Sequence, residues 1–420
     1  MAFKSKFLQE AEKRGFIFQC TNYDKLDEML NSGKQLTAYW GTDPTGASLH
    51  VGHIFSLMVM RLFQKYGNKP IVLVGGGTVM IGDPSGKDKT RPMLTREKIE
   101  ENSIGIKKSI AKFIKIDNSS SGAIMVDNYD WWKLKGYIEI LREVGLHISV
   151  NRMLTFESVK QRLAKETHMS FLEFNYMVLQ AYDFYYLFKK YNCEIQLCGA
   201  DQWGNVVAGV ELIRRLEFEN GEVEHGESRE VFGLSTPLLT DANGKKIGKS
   251  EGNAVWVNED MLDPFQYFQY FRNVDDKDVV RFLKMYTDLE VEQIDAMAND
   301  DINNLKKILA FETTKICHGE EVANQCLEKA TKIYEHKSFE DLEKVEYSNK
   351  DKKQLQLAFL MKELNIVDSL GEARRLIKGG AVKVNDEKID DENYILAEDL
   401  TDFKLSVGKK KFLRVVIVDK

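Results

Sequence analysis

One stretch, residues 36–53, constrains the rest of the chain. Residues 36–40 are a short, mostly apolar run that reads as a buried strand. The run breaks at Gly41 and turns through Asp43-Pro44-Thr45-Gly46. It then enters a helical pattern whose apolar positions include Leu49, Ile54, Leu57, Leu62 and Phe63. A strand, a tight loop and a helix N-terminus in that order make an anion site, because free backbone N–H groups and the positive end of the helix dipole point at one place. His50 and His53 lie three residues apart and share a face if they open the helix. Gly52 between them carries no Cβ, so a flat group could approach the backbone there. Taken alone, the pair also fits two surface histidines or half of a metal site. No cysteine or carboxylate stands nearby at metal-ligand spacing, and the expected metal set is none.

A second motif lies about 190 residues on, at Gly244-Lys245-Lys246-Ile247-Gly248-Lys249-Ser250. Lys246 and Lys249 in a Gly-containing loop suit a flexible polyphosphate clamp, although a lysine-rich loop is more often solvated surface. Between the motifs, residues 70–74 form an apolar β-branched run ending at three glycines. A strand–helix–strand of this length implies a parallel pair with a right-handed crossover. Asp83 follows in a Gly-rich loop, then Lys87 and Arg91 in a polar segment over the carboxyl ends of the sheet, where open α/β folds bind ligands. Residues 194–198 read as a later strand, with Asp201 and Gln202 just past its end, and residues 237–240 as the last short strand. Residues 171–183 have helical spacing with Tyr176, Gln180 and Asp183 on one polar line among apolar neighbours. A polar line on a mostly buried helix points to a pocket wall.

The chain has 420 residues, enough for two or three domains, and a formal charge of −6, so no net basicity announces a nucleic acid. Its five cysteines follow no zinc-like or disulfide-framework spacing and read as reduced thiols. The N-terminal segment is a charged amphipathic helix rather than a signal peptide, and no apolar run approaches a membrane span. Together these lead us to expect a soluble, cytoplasmic protein.

The expected organisation is a helical segment at 1–35, a Rossmann-like α/β domain with a parallel sheet at 36–255, and an α-helical domain at 256–336. A polar linker at 337–350 and a small α+β domain at 351–420 complete it. In the last block Ser369-Leu370-Gly371-Glu372 reads as a capping box, Ala373, Leu376 and Ile377 as an inner face, and Arg374, Arg375 and Lys378 as an outer one. Gly379-Gly380 ends that helix, and residues 381–385 alternate as a strand.

His50-Val51-Gly52-His53 and Lys246-Ile247-Gly248-Lys249-Ser250 resemble the two signatures of class I aminoacyl-tRNA synthetases, with Ile247 and Gly248 as departures in the second. With Tyr39, Asp43-Pro44-Thr45, Gly82-Asp83-Pro84-Ser85-Gly86, the Tyr176/Gln180/Asp183 line, 199–205 and an S4-like tail, the whole chain resembles the bacterial tyrosyl-tRNA synthetases. The resemblance implies a tyrosine-activating ligase that uses ATP with Mg²⁺, takes L-tyrosine and tRNA(Tyr), and forms a homodimer through an insertion near 127–163. It implies that Tyr39 and Asp183 meet the substrate phenol, that Tyr176, Gln180 and Asp83 take the amino group, and that Gln202 takes the carboxylate. Gly41, Asp43, Gly52, His53 and Asp201 would seat the nucleotide. Thr45 and His50, with Lys87, Arg91, Lys246 and Lys249, would hold the phosphates. Arg374, Arg375 and Lys378 would contact RNA. Trp40 and Thr42 stand where relatives more often carry Cys and Phe. A catalytically inert RNA-binding protein is the competing expectation, but both histidines, both lysines and the polar line are all present. A chain ending near Asn349 is expected to activate tyrosine and to charge tRNA poorly.

Overall fold

The computed structural model describes residues 2–83, 94–166, 168–219, 230–242, 244, 247, 254–334, 339, 342–349, 355–397, 399–408 and 411–418. The chain divides into two compact units, Met1–Glu320 and Glu321–Lys420.

In the first unit, α1 (Lys6–Lys13) is capped by the Ser5 side chain and leads to β1 (Gln19–Cys20) and α2 (Tyr23–Asn31), which is capped by Asn22. The expected strand is β2 (Thr37–Thr42). It runs two residues beyond the expected break, because Gly41 and Thr42 still pair with Leu73 and Val74 of the neighbouring strand. The crossover helix is α3 (Val51–Lys65), which buries Ile54, Leu57, Leu62 and Phe63 on the face that the spacing assigns. Then come β3 (Lys69–Val74), α4 (Arg96–Ala111) and β4 (Ile124–Asp127). Four short helices follow, α5 (Tyr129–Trp132), α6 (Tyr137–Glu143), α7 (Val150–Met153) and α8 (Glu157–Ala164). The polar-line helix, α9 (Phe171–Tyr191), opens on a reciprocal Ser170/Glu173 capping box and closes on Asn192 in the left-handed region. After β5 (Ile195–Gly199) and α10 (Trp203–Glu219) comes β6 (Phe232–Thr236). The strand expected at 237–240 is therefore displaced toward the N-terminus. Residues 232–236 complete the ladder with β5, and Pro237 has no N–H with which to extend it.

The sheet order is β1-β6-β5-β2-β3-β4, parallel except for β1, which runs antiparallel to β6. From β2 the chain winds outward through β3 and β4, then returns to β2's other side for β5 and β6. The β2/β5 boundary is thus the topological switch point, outside whose carboxyl ends a crevice opens. One core cluster unites Tyr39, Ile71 and Leu73 from the strands with Phe184, Leu187 and Ile213 from α9 and α10. Full burial of side chains of this size contributes about 1.5–3 kcal/mol each. The unit continues with α11 (Pro264–Arg272), α12 (Val279–Tyr286), α13 (Val291–Met297) and α14 (Ile302–His318). Among the described residues no helix is long and apolar enough to cross a membrane.

After α15 (Glu320–Tyr334), the second sheet begins with β7 (Glu343–Ser348). Those six residues, expected to be linker, pair in parallel with β11 (Lys411–Val418). The rest of the unit is α16 (Leu357–Glu363), α17 (Leu370–Lys378), β8 (Val382–Val384), β9 (Glu387–Ile389) and β10 (Asp402–Val407), in sheet order β7-β11-β10-β8-β9. Asn385 and Asp386, both at positive φ, make the two-residue turn between β8 and β9. Ala373 and Ile377 of α17 are buried against Leu405 and Val415, Leu376 is half-buried, and Arg374, Arg375 and Lys378 are exposed.

Candidate active site

A cavity of about 310 Å³ opens at the switch point. It is lined from β2 and its loop by Tyr39, Gly41, Asp43, Thr45, His50, Gly52 and His53, and by Asp83 after β3. The polar line of α9 and Gln196, Asp201 and Gln202 from β5 and its sequel complete the wall. Every sequence-derived substrate residue in the described part of the first unit lies on this one cavity. Lys87, Arg91, Lys246 and Lys249 lie outside the described residues; Ile247, within the second motif, lines the cavity.

The expected anion loop is built from local chemistry. His50 is the N-cap of α3 and His53 its third residue. The Gly52 amide donates to His50 Nδ1 at 3.1 Å and the His50 amide to His53 Nδ1 at 3.2 Å. Each ring's Nδ1 is thus an acceptor, which puts the proton of a neutral imidazole on Nε2. The rings lie against each other with centroids 3.8 Å apart and planes tilted by 32°. Gly52 is tight for a different reason from the one expected, since a Cβ there would lie 3.0 Å from both the Ile247 carbonyl oxygen and the His50 ring. The loop is held from behind by α4 and residue 258. Asn102 Nδ2 donates to the Pro44 carbonyl at 3.0 Å, and buried Asn258 donates to the carbonyls of Gly105 at 3.0 Å and Ala47 at 3.3 Å.

The polar line of α9 divides among three sets of partners. Tyr176 donates its hydroxyl to Asp43 Oδ2 at 3.0 Å, and Thr78 Oγ1 donates to Asp43 Oδ1 at 2.7 Å. Asp43, expected on the nucleotide, also braces Tyr176 of α9 and Thr78 beyond β3. Gln180 Oε1 accepts from Asn205 Nδ2 at 2.8 Å; that same nitrogen donates to Gln202 Oε1 at 3.0 Å, and Gln202 Nε2 donates to Asp83 Oδ2 at 2.9 Å. Asp183 accepts from Asn128 Nδ2 at 2.9 Å and from the indole nitrogens of Trp131 and Trp132, both at 2.8 Å. Burial pushes its acid up to about 7, against the pull of those three donors, and the charge on Asp43 adds to the rise.

Tyr39 faces α9 from β2, its ring 5.4 Å from that of Phe184. It is 2% exposed, and its hydroxyl has no hydrogen-bond partner among the described residues. Burial, and then the nearby Asp183 charge, raise that phenol well above its ordinary range, so it stays a neutral donor and acceptor. Gln196 sits opposite Tyr39 in the β2/β5 ladder, and its buried Oε1 is likewise unpartnered. A buried, unpaired hydroxyl beside a carboxylate of about four acceptor positions, three of them used, is a socket for a hydroxyl that can donate to one and accept from the other.

Sequence reasoning missed Thr78, Asn128, Trp131, Trp132, Gln196 and Asn258, and gave Asn205 no role within the 199–205 segment. Asn128 directly follows the carboxyl end of β4, the position used to single out Asp201 after β5, so the same signal was available for it.

The family model described as tRNA synthetases class I (W and Y) matches residues 31–335, and that of the S4 domain matches residues 357–401. The chain is 47% identical over 420 residues to the tyrosine–tRNA ligase of Rickettsia bellii, with 98% of this chain and 100% of that one covered. Its identity to the enzyme of that name from the Wolbachia of Brugia malayi is 46% over 425 residues, with 99% and 100% covered. Among solved structures, a C-terminally truncated mitochondrial tyrosyl-tRNA synthetase from Aspergillus nidulans superposes with a TM-score of 0.71 at 29% identity. That match covers 79% of this chain and 94% of the other.

Proposed function

The chain belongs to the tyrosine–tRNA ligases, class I tRNA synthetases, and on that footing we propose that it makes tyrosyl-adenylate and pyrophosphate from L-tyrosine and ATP. It then transfers the tyrosyl group to the 3′-terminal adenosine of tRNA(Tyr). In the first step the tyrosine carboxylate attacks the α-phosphate in line and pyrophosphate leaves. In the second, a ribose hydroxyl attacks the anhydride carbonyl and AMP leaves. Both steps need position and charge neutralisation more than a covalent nucleophile.

The single observation that carries the reading is the unpartnered Tyr39 hydroxyl and the Asp183 carboxylate on the same cavity as the two-histidine helix tip. A substrate phenol donates to Asp183 and accepts from Tyr39, whereas phenylalanine leaves both unanswered in a dry pocket. Asp83, Tyr176 and Gln180 receive the ammonium and Gln202 the carboxylate. The adenosine lies over Gly41, Gly52, His53 and Asp201, with Asp43 bracing Tyr176 and Thr78 beside it. Thr45 and the Nε2–H of His50 meet the phosphates with Lys87, Arg91, Lys246 and Lys249, each such donor worth roughly 3–4 kcal/mol of transition-state stabilisation. Mg²⁺ arrives on the ATP phosphates, since it dehydrates reluctantly and binds through them. Arg374, Arg375 and Lys378 on the exposed face of α17 contact RNA phosphates.

A homodimer completes the proposal. Leu134 and Leu146 are 78% and 77% exposed, and Tyr137, Ile138, Leu141 and Val150 are exposed between or beside them, an apolar surface that a second copy would cover. A cytoplasmic location fits the substrates. ATP–pyrophosphate exchange with each aromatic amino acid tests the reaction. Exchange that depends on tyrosine supports it, and exchange with tryptophan but not tyrosine overturns it.

A further inference from the structure

Two adjacent tryptophans of α5 converge on one oxygen of Asp183. The indole nitrogens of Trp131 and Trp132 both donate to Oδ1, while Asn128 Nδ2 donates to Oδ2. Trp131 is buried and stacks on Tyr186 of α9, with centroids 4.3 Å apart. The half-buried Trp132 lies against Tyr182, 5.1 Å away, and edges Gly77, where a Cβ would sit 3.0 Å from its Cδ1. Consecutive residues of a helix are about 100° apart, so two neighbouring indoles reach one atom only when α5 lies close across the carboxylate. With Oδ1 doubly occupied and Oδ2 singly, one acceptor direction remains, on Oδ2.

We propose that Trp132 is a positioning residue for phenol recognition: its indole N–H fills the second acceptor direction of Asp183 Oδ1, which favours the carboxylate over the neutral acid and leaves only Oδ2 to receive the substrate hydroxyl. This rests on the reading of Asp183 as the phenol acceptor. The same atom-by-atom count separates it from a packing role, because the Trp132 ring could touch Tyr182 equally well without its nitrogen.

The consequence is a shift in an acid limb. Asp183 Oδ2 accepts a hydrogen bond from the phenol as a carboxylate oxygen and loses that free direction when it carries the acid's own proton, so tyrosine recognition is present above the acid's midpoint and lost as the pH falls through it. Burial already holds that midpoint near 7, and removal of one donor raises it further. A donor to a charged group is worth roughly one to two pH units of such a midpoint. Among the described residues, other ionisable groups that bear on the site include Tyr39 on β2, Asp43 and Asp83 on the same cavity, Asp127 ending β4, Tyr182 on α9 and Lys135 after α5. Burial keeps both phenols neutral through this range. Lys135 is paired with Glu139 and Glu143, and Asp127 is tied to the Gly76 and Tyr129 amides. Asp43 and Asp83 face any amino acid in the pocket, so a phenylalanine control carries their titration and omits the demand on Asp183.

The test is Trp132→Phe in the full chain, which keeps a ring against Tyr182 and deletes the donor. ATP–pyrophosphate exchange is followed from about pH 5.5 to about pH 9 with tyrosine and, separately, with phenylalanine. The expected result is a tyrosine acid limb moved up by about one unit, a roughly fivefold rise in tyrosine KM near pH 7, and recovery toward the unaltered value near pH 9. The phenylalanine profile should not move. An unchanged limb overturns the proposal, as does a loss equal at every pH or shared by both substrates. An unaltered protein that does not activate tyrosine refutes the underlying reading instead. If the variant does not fold, ¹⁵N-indole spectra of the unaltered protein decide the matter. A Trp132 N–H signal that titrates with the tyrosine limb supports the proposal, and one invariant across that range overturns it.

Discussion

Tyr39→Phe should make the protein more stable and less selective at once. In the ligand-free protein the Tyr39 hydroxyl is buried with no partner among the described residues, so its lost hydration is uncompensated. Such a group costs about 1–3 kcal/mol, and phenylalanine keeps the ring contact with Phe184 while removing that cost. The first unit should gain about 1–3 kcal/mol, a few degrees in its thermal midpoint. Bound tyrosine would lose one neutral hydrogen bond, about 0.5–1.5 kcal/mol, or roughly 2- to 13-fold in kcat/KM. Phenylalanine, which makes no bond there, should be unaffected or slightly improved, so the tyrosine-to-phenylalanine ratio falls by at least the same factor. Scanning calorimetry and pyrophosphate exchange with both amino acids read the two effects on one preparation. Lower stability with an unchanged ratio would mean that the hydroxyl is satisfied in the protein and does not face the substrate, and the phenol assignment would fail.

Gly105→Ala would put a Cβ 1.9 Å from the Ala47 carbonyl oxygen, a backbone atom of the phosphate-facing loop. It should destabilise by about 1–3 kcal/mol and raise the ATP KM far more than the tyrosine KM, so equal changes in the two would refute the buttress role of α4. Replacing Arg374, Arg375 and Lys378 together with Ala should leave pyrophosphate exchange intact and weaken tRNA binding. The slope of log affinity against log salt should then become shallower by up to about 3, and an unchanged slope would remove α17 from the RNA. A truncation meant to delete that unit has to end before β7 rather than near Asn349, because Glu343–Ser348 would otherwise be left without β11.

What the sequence made legible was local. The helix at 51–65 and the capped helix 370–378 carry their own periodicity, and the structure builds both. Leu49 precedes the first, however, and Glu372 turns to the Asp368 amide, so only the Ser369 half of the expected capping box forms. The elements misread are those whose evidence lies elsewhere in the chain. β7 reads as linker because it is an edge strand paired on one side only, so most of its residues stay exposed and polar. β6 was overlooked because Gly233 interrupts its apolar run, and the reason for that glycine is Val206, whose Cγ1 would lie 2.4 Å from a Cβ there.

The polar line of α9 shows where the boundary of such reading falls. Helical spacing was sufficient to put Tyr176, Gln180 and Asp183 on one face, and insufficient to say what each one holds. Their partners are Asp43, Asn205 and the Asn128-Trp131-Trp132 group, each far from its partner in sequence. Those partners nevertheless share a location: Asp43 follows β2, Asn128 follows β4 and Asn205 follows β5, while Thr78, which links Asp43 to Asn128, follows β3. Parallel strands end their ladders at one edge, so the first residues beyond each are delivered to the same crevice whatever their distance along the chain. Once a parallel sheet is recognised, the polar residues just past each strand form the candidate partners for any buried polar stripe. A search restricted to those positions recovers Asp43, Thr78 and Asn128, whereas Trp131, Trp132 and Asn205 are reached one helical turn further on, in α5 and α10.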